Sequence, residues 1–121
     1  MYMVMFVLDD PSQLEAVLSA WETNGISGAT ILESTGINRF RRARMVGSPF
    51  MAGINRLMNS PEESHYTLLA IVQDEQKAQL CLTAVESIVG DLTEPDTGVF
   101  CTWPLSTVKG VPHRPTKKGP A

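Results

Sequence analysis

The chain opens on seven consecutive mostly apolar residues, Tyr2 to Leu8, several of them aromatic or β-branched, and then turns abruptly polar at Asp9-Asp10-Pro11. Such a run, closed by a turn signal, predicts a buried strand that ends at a helix start. Asp10 is a good N-cap, Pro11 suits the first helical position, and Gln13 stands where a capping box places its polar residue. Leu14, Val17, Leu18 and Trp21 then fall on one face at helical spacing, and Asn24-Gly25 supplies the stop. A second strand is expected over Ala29 to Thr35, where Thr, Leu and Ser alternate loosely with Ala, Ile and Glu.

The same grammar repeats about 65 residues later. His65 to Val72 predicts a strongly apolar strand, and Asp74 caps a helix. Ala78, Cys81, Leu82, Val85, Ile88 and Val89 form that helix's stripe, Gly90 ends it, and Val99 to Trp103 is the answering strand. Two β-α-β halves in one small domain predict an α+β, ferredoxin-like sandwich (βαββαβ), an antiparallel sheet with two helices on one face. The domain is expected over residues 1–108, with 109–121 as a flexible basic tail. Between the halves, residues 36–64 lack a clean periodic segment, although the apolar spacing admits a short helix over Ala52 to Asn59. A connection of this length inside a compact domain is expected to be functional or mobile.

With 121 residues and 43% hydrophobic content, the chain has the size of one domain that needs no disulfide or metal staple. Cys81 and Cys101 are too few for a disulfide scaffold or a four-thiolate zinc site. The opening apolar run lacks a basic leader and a cleavage site, and nothing approaches the length of a membrane span, so a cytoplasmic location without membrane insertion is expected.

The net charge of -3 hides a block pattern. Residues 1–33 carry five acids and no base, 34–61 five arginines and no acid, 62–96 eight acids and one base, and 97–121 four bases and no acid. Basic blocks are where anions would be met if the fold brings them together. A sequence pI near 5.3 argues against general nucleic-acid binding.

Catalytic constellations are mostly absent, and the chain is read as a non-enzyme. No nucleophile elbow, phosphate loop or zinc-protease motif occurs. His65 and His113 lack a carboxylate or cysteine at ligand spacing in sequence, so each is read as a solvated histidine and no metal site is expected. Cys81 and Cys101 are read as packing residues. The basic middle block holds Arg39, Arg41, Arg42, Arg44 and Arg56. Its bland reading is a solvated loop. Its functional reading is anion capture, because guanidinium forks match phosphate and carboxylate. RNA binding is disfavoured, since the aromatic motifs of RNA-binding sandwiches are missing.

The run from Gly25 through Gly28, Thr30, Glu33 and Gly36 to Arg39 resembles the "GI-x-G-x-T-x-x-E-x-x-G-x-x-R" stretch of the P-II nitrogen-regulatory signalling family. Asp96-Thr97-Gly98-Val99-Phe100 resembles that family's "D-G-x-I-F" turn into the fourth strand. The resemblance covers about residues 2–109. It implies a homotrimeric regulator that binds an adenine nucleotide between subunits and engages a target protein, a transporter or an enzyme, through a long T-loop at 36–64. On that basis Thr30 would contact the adenine, Gly36, Ile37, Asn38 and Arg39 would form the loop base near the phosphates, Asp96, Thr97 and Gly98 would wrap them, and Lys109 would add a phosphate contact. Arg41, Arg42, Arg44 and Arg56 would face the anion or the partner.

The chain departs from the family at three points. The glutamine after the loop-base arginine is Phe40, the lysine of the phosphate turn is replaced at Gly98, and the modifiable T-loop tyrosine has no counterpart. A charged hydrogen bond contributes roughly 1.5 to 3 kcal/mol. Losing two would weaken triphosphate binding by about two to four powers of ten. ADP or AMP is therefore expected ahead of magnesium-ATP with 2-oxoglutarate, as an effector and not as a tightly held cofactor. The rival expectation is a CutA-like metal-binding or efflux-associated accessory trimer on the same architecture. An acylphosphatase-type enzyme is a third, opposed by Asp9-Asp10-Pro11 where a phosphate cradle would be needed.

Overall fold

The computed structural model describes residues 1–38, 40–41 and 65–111. These residues form an α+β unit of four strands and two helices: β1 (Tyr2–Leu8), α1 (Leu14–Thr23), β2 (Ala29–Ser34), β3 (His65–Val72), α2 (Glu75–Val89) and β4 (Gly98–Pro104). The strands make one antiparallel sheet in the order β2-β3-β1-β4. The two halves interlock, because each edge strand pairs with the central strand of the other half. The expected helix over Ala52 to Asn59, the rest of the 42–64 segment and the tail from 112 onward lie outside the described residues.

Period-two alternation divides the sheet into two faces. Val4, Phe6 and Leu8 of β1 share one face with Leu68, Ala70 and Val72 of β3, and all six are buried. Val17 and Trp21 of α1 and Ala78, Cys81, Ala84 and Val85 of α2 complete the same core, so both helices cover this face. Trp21 ties the helices together, its indole Nε1–H donating to the Cys81 carbonyl at 3.2 Å. That bond satisfies a polar atom which would otherwise be buried without a partner. Lys77 spans the same junction lower down, its ammonium donating to Asn24 O at 3.1 Å, where a cation complements the C-terminal end of α1.

The caps follow the sequence with one change. Asp10 accepts from Ser12 N–H at 3.0 Å, but it opens a short 3₁₀ turn, Pro11–Gln13, ahead of α1. Gln13 does not close a capping box; its side chain donates across to Ile88 O at 3.4 Å, near the end of α2. Asp74 caps α2 directly through Lys77 N–H at 2.9 Å. Gly90, at φ +91°, ends the helix, and Glu86 then accepts from Leu92 N–H at 3.0 Å to start the return toward β4.

Candidate functional site

Six of the nine residues expected to bind a nucleotide, Gly36, Ile37, Asn38, Asp96, Thr97 and Gly98, lie at one end of the sheet, in two groups. The register pairs Ser34 with His65, Leu8 with Tyr66 and Leu8 with Gly98, so the end of β2 and the start of β4 lie at the same end of the sheet. Gly36, Ile37 and Asn38 follow β2, and Phe40 N–H donates to Gly36 O at 3.0 Å, which curls this segment into a helical turn. Ile37 is 60% exposed. Asp96, Thr97 and Gly98 lead into β4 on the opposite edge. Three strand spacings of about 4.8 Å separate the two groups by roughly 14 Å within one chain.

The β4 group has a defined backbone. Asp96 is exposed and takes a left-handed conformation, φ +63°, and Thr97 donates its hydroxyl to Glu94 O at 2.8 Å. Gly98 sits at φ +130°, and a Cβ there would run into Val7 O and the Phe6 ring. Only glycine fits, so the position that departs from the family pattern carries a backbone requirement of its own. Asp91, earlier in this connection, accepts from both the backbone N–H and the hydroxyl of Thr93, and those bonds hold its carboxyl below the usual carboxylate range.

Thr30 is exposed on β2, on the face away from the helices and in register with Leu69. Lys109 is exposed and follows the far end of β4, beyond Leu105, whose N–H donates to Met1 O at 2.9 Å. Five residues extend at most about 17 Å, less than the run back along β4. Within one chain the backbone at Lys109 therefore stays short of the groups at Gly36 and Gly98. Arg41 is exposed; Arg39, Arg42, Arg44 and Arg56 lie outside the described residues.

One pair at this end escapes the sequence reading. His65 is not a solvated histidine without a carboxylate neighbour: its Nε2 lies 3.2 Å from Asp9 Oδ1, with the side chain 18% exposed. The nitrogen is buried and its orientation leaves it without a hydrogen-bond partner. Gly36 packs against the imidazole, since a Cβ there would stand 3.7 Å from His65 Cε1. Asp9 and His65 are distant in the chain, and only the antiparallel register of β1 on β3 brings them together. The signal available beforehand was positional: Asp9 directly follows the first strand and His65 begins the third.

The remaining face of the sheet is uncovered by either helix. Its rows, read across the strands, are Leu32, Thr67, Val7 and Val99; then Thr30, Leu69, Met5 and Cys101; then Ile71, Met3 and Trp103. None belongs to the buried core, and Leu32, Val99 and Trp103 are 47%, 58% and 40% exposed. Ser34 and Thr67 hydroxyls hydrogen-bond to each other at 2.9 Å. Cys101 lies half-buried on this face and not in the core, whereas Cys81 is fully buried. Burial pushes the Cys81 thiol up to about 11 against the opposing pull of Lys77.

Among the described residues no helix is long and apolar enough to cross a membrane. No group of three or more His, Cys, Asp or Glu side chains is placed to hold a metal ion among them either. Comparison with protein-family models and with curated proteins finds no match to this chain.

Proposed function

We propose that this chain is a P-II-like regulatory subunit of ferredoxin-like fold. It assembles as a homotrimer, binds an adenine nucleotide between copies, and controls a partner protein through its arginine-rich T-loop at 36–64. The observation that carries this reading is the division of the nucleotide motif between the two edges of one sheet. Gly36 to Asn38 and Asp96 to Gly98 share an end of the sheet but stand about 14 Å apart within the chain. A neighbouring copy that brings its β4 edge toward this β2 edge would turn the halves into one cleft.

The uncovered sheet face supplies the driving force for that assembly. A strand such as β1, apolar at both odd and even positions, has the pattern of a strand buried on both sides. Its helix side is already filled. A contiguous apolar surface of this kind marks an interaction site, and closed symmetric self-association is the simplest way to cover it. Phosphates entering the cleft would meet the backbone N–H groups of the Gly36 turn and the arginines that follow. Ordering of the loop around that charge would then change what the partner meets.

Titration of the full chain with ATP, ADP, AMP and cyclic AMP, alongside mass measurement in solution, tests both parts. Binding of ADP or AMP at least as tight as ATP, to a trimer, is the expected result; no millimolar-or-better binding to any of the four overturns the nucleotide role. The CutA-like accessory reading instead requires Cu or Zn binding that is lost in His65→Ala and Cys101→Ala.

A further inference from the structure

We propose that Asn24-Gly25 is a spontaneous modification site, an asparagine that deamidates and isomerises only when the last turn of α1 opens, with Lys77 as its latch. The inference rests on the end of α1 and not on the nucleotide reading. This is the one Asn-Gly pair in the chain; the other asparagines, Asn38, Asn55 and Asn59, precede arginine or serine. A glycine after asparagine leaves its amide nitrogen open to reaction, because no Cβ shields it.

The chemistry needs only water and hydroxide. Hydroxide takes the Gly25 N–H proton and the nitrogen attacks Asn24 Cγ. The Cγ–Nδ2 bond breaks, and the leaving nitrogen takes a proton from water and departs as ammonia. Water then opens the five-membered imide at either carbonyl, giving an aspartate or an isoaspartate whose main chain runs through Cγ. Nothing is oxidised or reduced.

The folded chain withholds each part of that reaction. Asn24 is half-buried and Gly25 exposed, so water reaches the pair. Ring closure requires the Gly25 nitrogen to swing to the Cβ side of Asn24, but at ψ 13° it lies beside that residue's own amide nitrogen. Gly25 N–H is held by Glu22 O at 3.0 Å, and the Asn24 side-chain amide donates to Ala20 O at 2.8 Å, back along the helix. The Lys77 ammonium, reaching from α2, fixes the peptide group between the two residues by donating to Asn24 O at 3.1 Å. Rotation of ψ breaks the first and last of these bonds, and ring closure breaks the other. The reaction therefore waits on local opening of the helix end.

The product does not refit. A carboxylate at position 24 turns an acceptor where a donor met Ala20 O, and it stands at the negative end of the α1 dipole. An isoaspartate lengthens the main chain just before Gly25, at φ +85°, and Ile26, a core residue whose N–H donates to Trp21 O at 2.9 Å. The altered chain loses that seat and with it the lead into β2.

The test follows the full chain at mildly alkaline pH, folded and in urea, by peptide mass mapping with isoaspartyl methyltransferase labelling. Asn24 is expected to be the first asparagine modified in urea, and to react at least about tenfold more slowly in the folded chain, where opening limits it. Lys77→Met keeps the apolar stem and removes the charge. It should speed the folded reaction several-fold and leave the reaction in urea unchanged. Gly25→Ala should slow the reaction in urea, where folding plays no part. Equal rates in the folded and unfolded chain overturn the gating, and an unchanged folded rate in Lys77→Met overturns the latch. Modification of Asn38 or Asn59 ahead of Asn24 in urea overturns the site.

Discussion

The two faces of this sheet are made from the same strands and nearly the same residue types, yet among the described residues only one of them is filled by helices. On the helix side, Val4, Phe6, Leu8 and Leu68 are fully buried against Val17, Trp21, Cys81 and Val85. On the other side, Met3, Met5, Val7, Leu69 and Ile71 are half-buried by their neighbours in the sheet, and Leu32, Val99 and Trp103 are exposed. The contrast teaches that apolar composition states a demand for burial without naming what meets it. For the helix face the answer lies within the chain, and for the other face it lies outside the described fold.

The comparison is broken most severely at the covered face. Phe6→Ala is expected to lose about 3 to 5 kcal/mol, the cost of truncating an aromatic in a packed core, measured by urea unfolding. Val99→Ala, in the next strand but on the open side, should change the unfolding of the isolated chain by no more than about 0.5 kcal/mol. Equality of the two would show that the faces are not distinct.

Gly98→Ala comes next. A residue with a Cβ at φ +130°, pressed on Val7 O and the Phe6 ring, should destabilise the fold by about 1 to 3 kcal/mol. The same measurement reads it. Unchanged stability would mean that the start of β4 relaxes freely and that Gly98 is not required there.

A third comparison uses charge. Val99→Asp should leave the far-ultraviolet dichroism spectrum intact while shifting the solution mass toward the single chain, because the proposed contact would bury its carboxylate without a partner. Retention of the same assembly by this variant would remove the open face from the proposed interface.

The smallest effect concerns the cysteines. Cys101 should react with a maleimide at pH 8 well before Cys81, which is buried and held protonated up to about pH 11. The stability consequence has a definite sign. Between pH 9 and about 11 the unfolded thiol ionises while the folded one keeps its proton, so stability falls as pH rises through that interval. The difference in urea midpoint between the natural chain and Cys81→Ala, followed across that range, should shrink accordingly.

Strands and helices were largely legible because their signals are local. The β1 span, the Asp74 cap and the Gly90 stop each depend on a few neighbouring residues and stand in the structure as expected, whereas in the α2 stripe Ala84 takes the buried place expected of Leu82. Thr35 falls outside β2, and Gln13 caps nothing because its side chain is drawn to Ile88 O at 3.4 Å, a partner in α2 that sequence spacing does not disclose. The candidate site was legible only as types of residue. Thr30, Gly36 and Asp96 could be named from motifs, but their distribution over two opposite edges follows from strand order. The Asp9–His65 contact at 3.2 Å and the alignment of Met5 with Cys101 come from register alone. Cys101 was assigned to the core because a half-buried strand residue and a fully buried one look alike in a run such as Val99 to Trp103.

The interlocked strand order also governs how the chain must find its fold. The nearest paired residues in the sheet, Ser34 and His65, are 31 positions apart, and Leu8 pairs with Gly98 across 90. Among the described strands no pair closes through a tight hairpin, so each of these pairings costs the entropy of a long loop before any contact rewards it, and slow folding for a chain of this size is expected. The same logarithm bounds that cost: doubling the number of positions a pairing must close adds only about 0.6 kcal/mol, so the sheet tolerates a pairing as distant as Leu8 with Gly98.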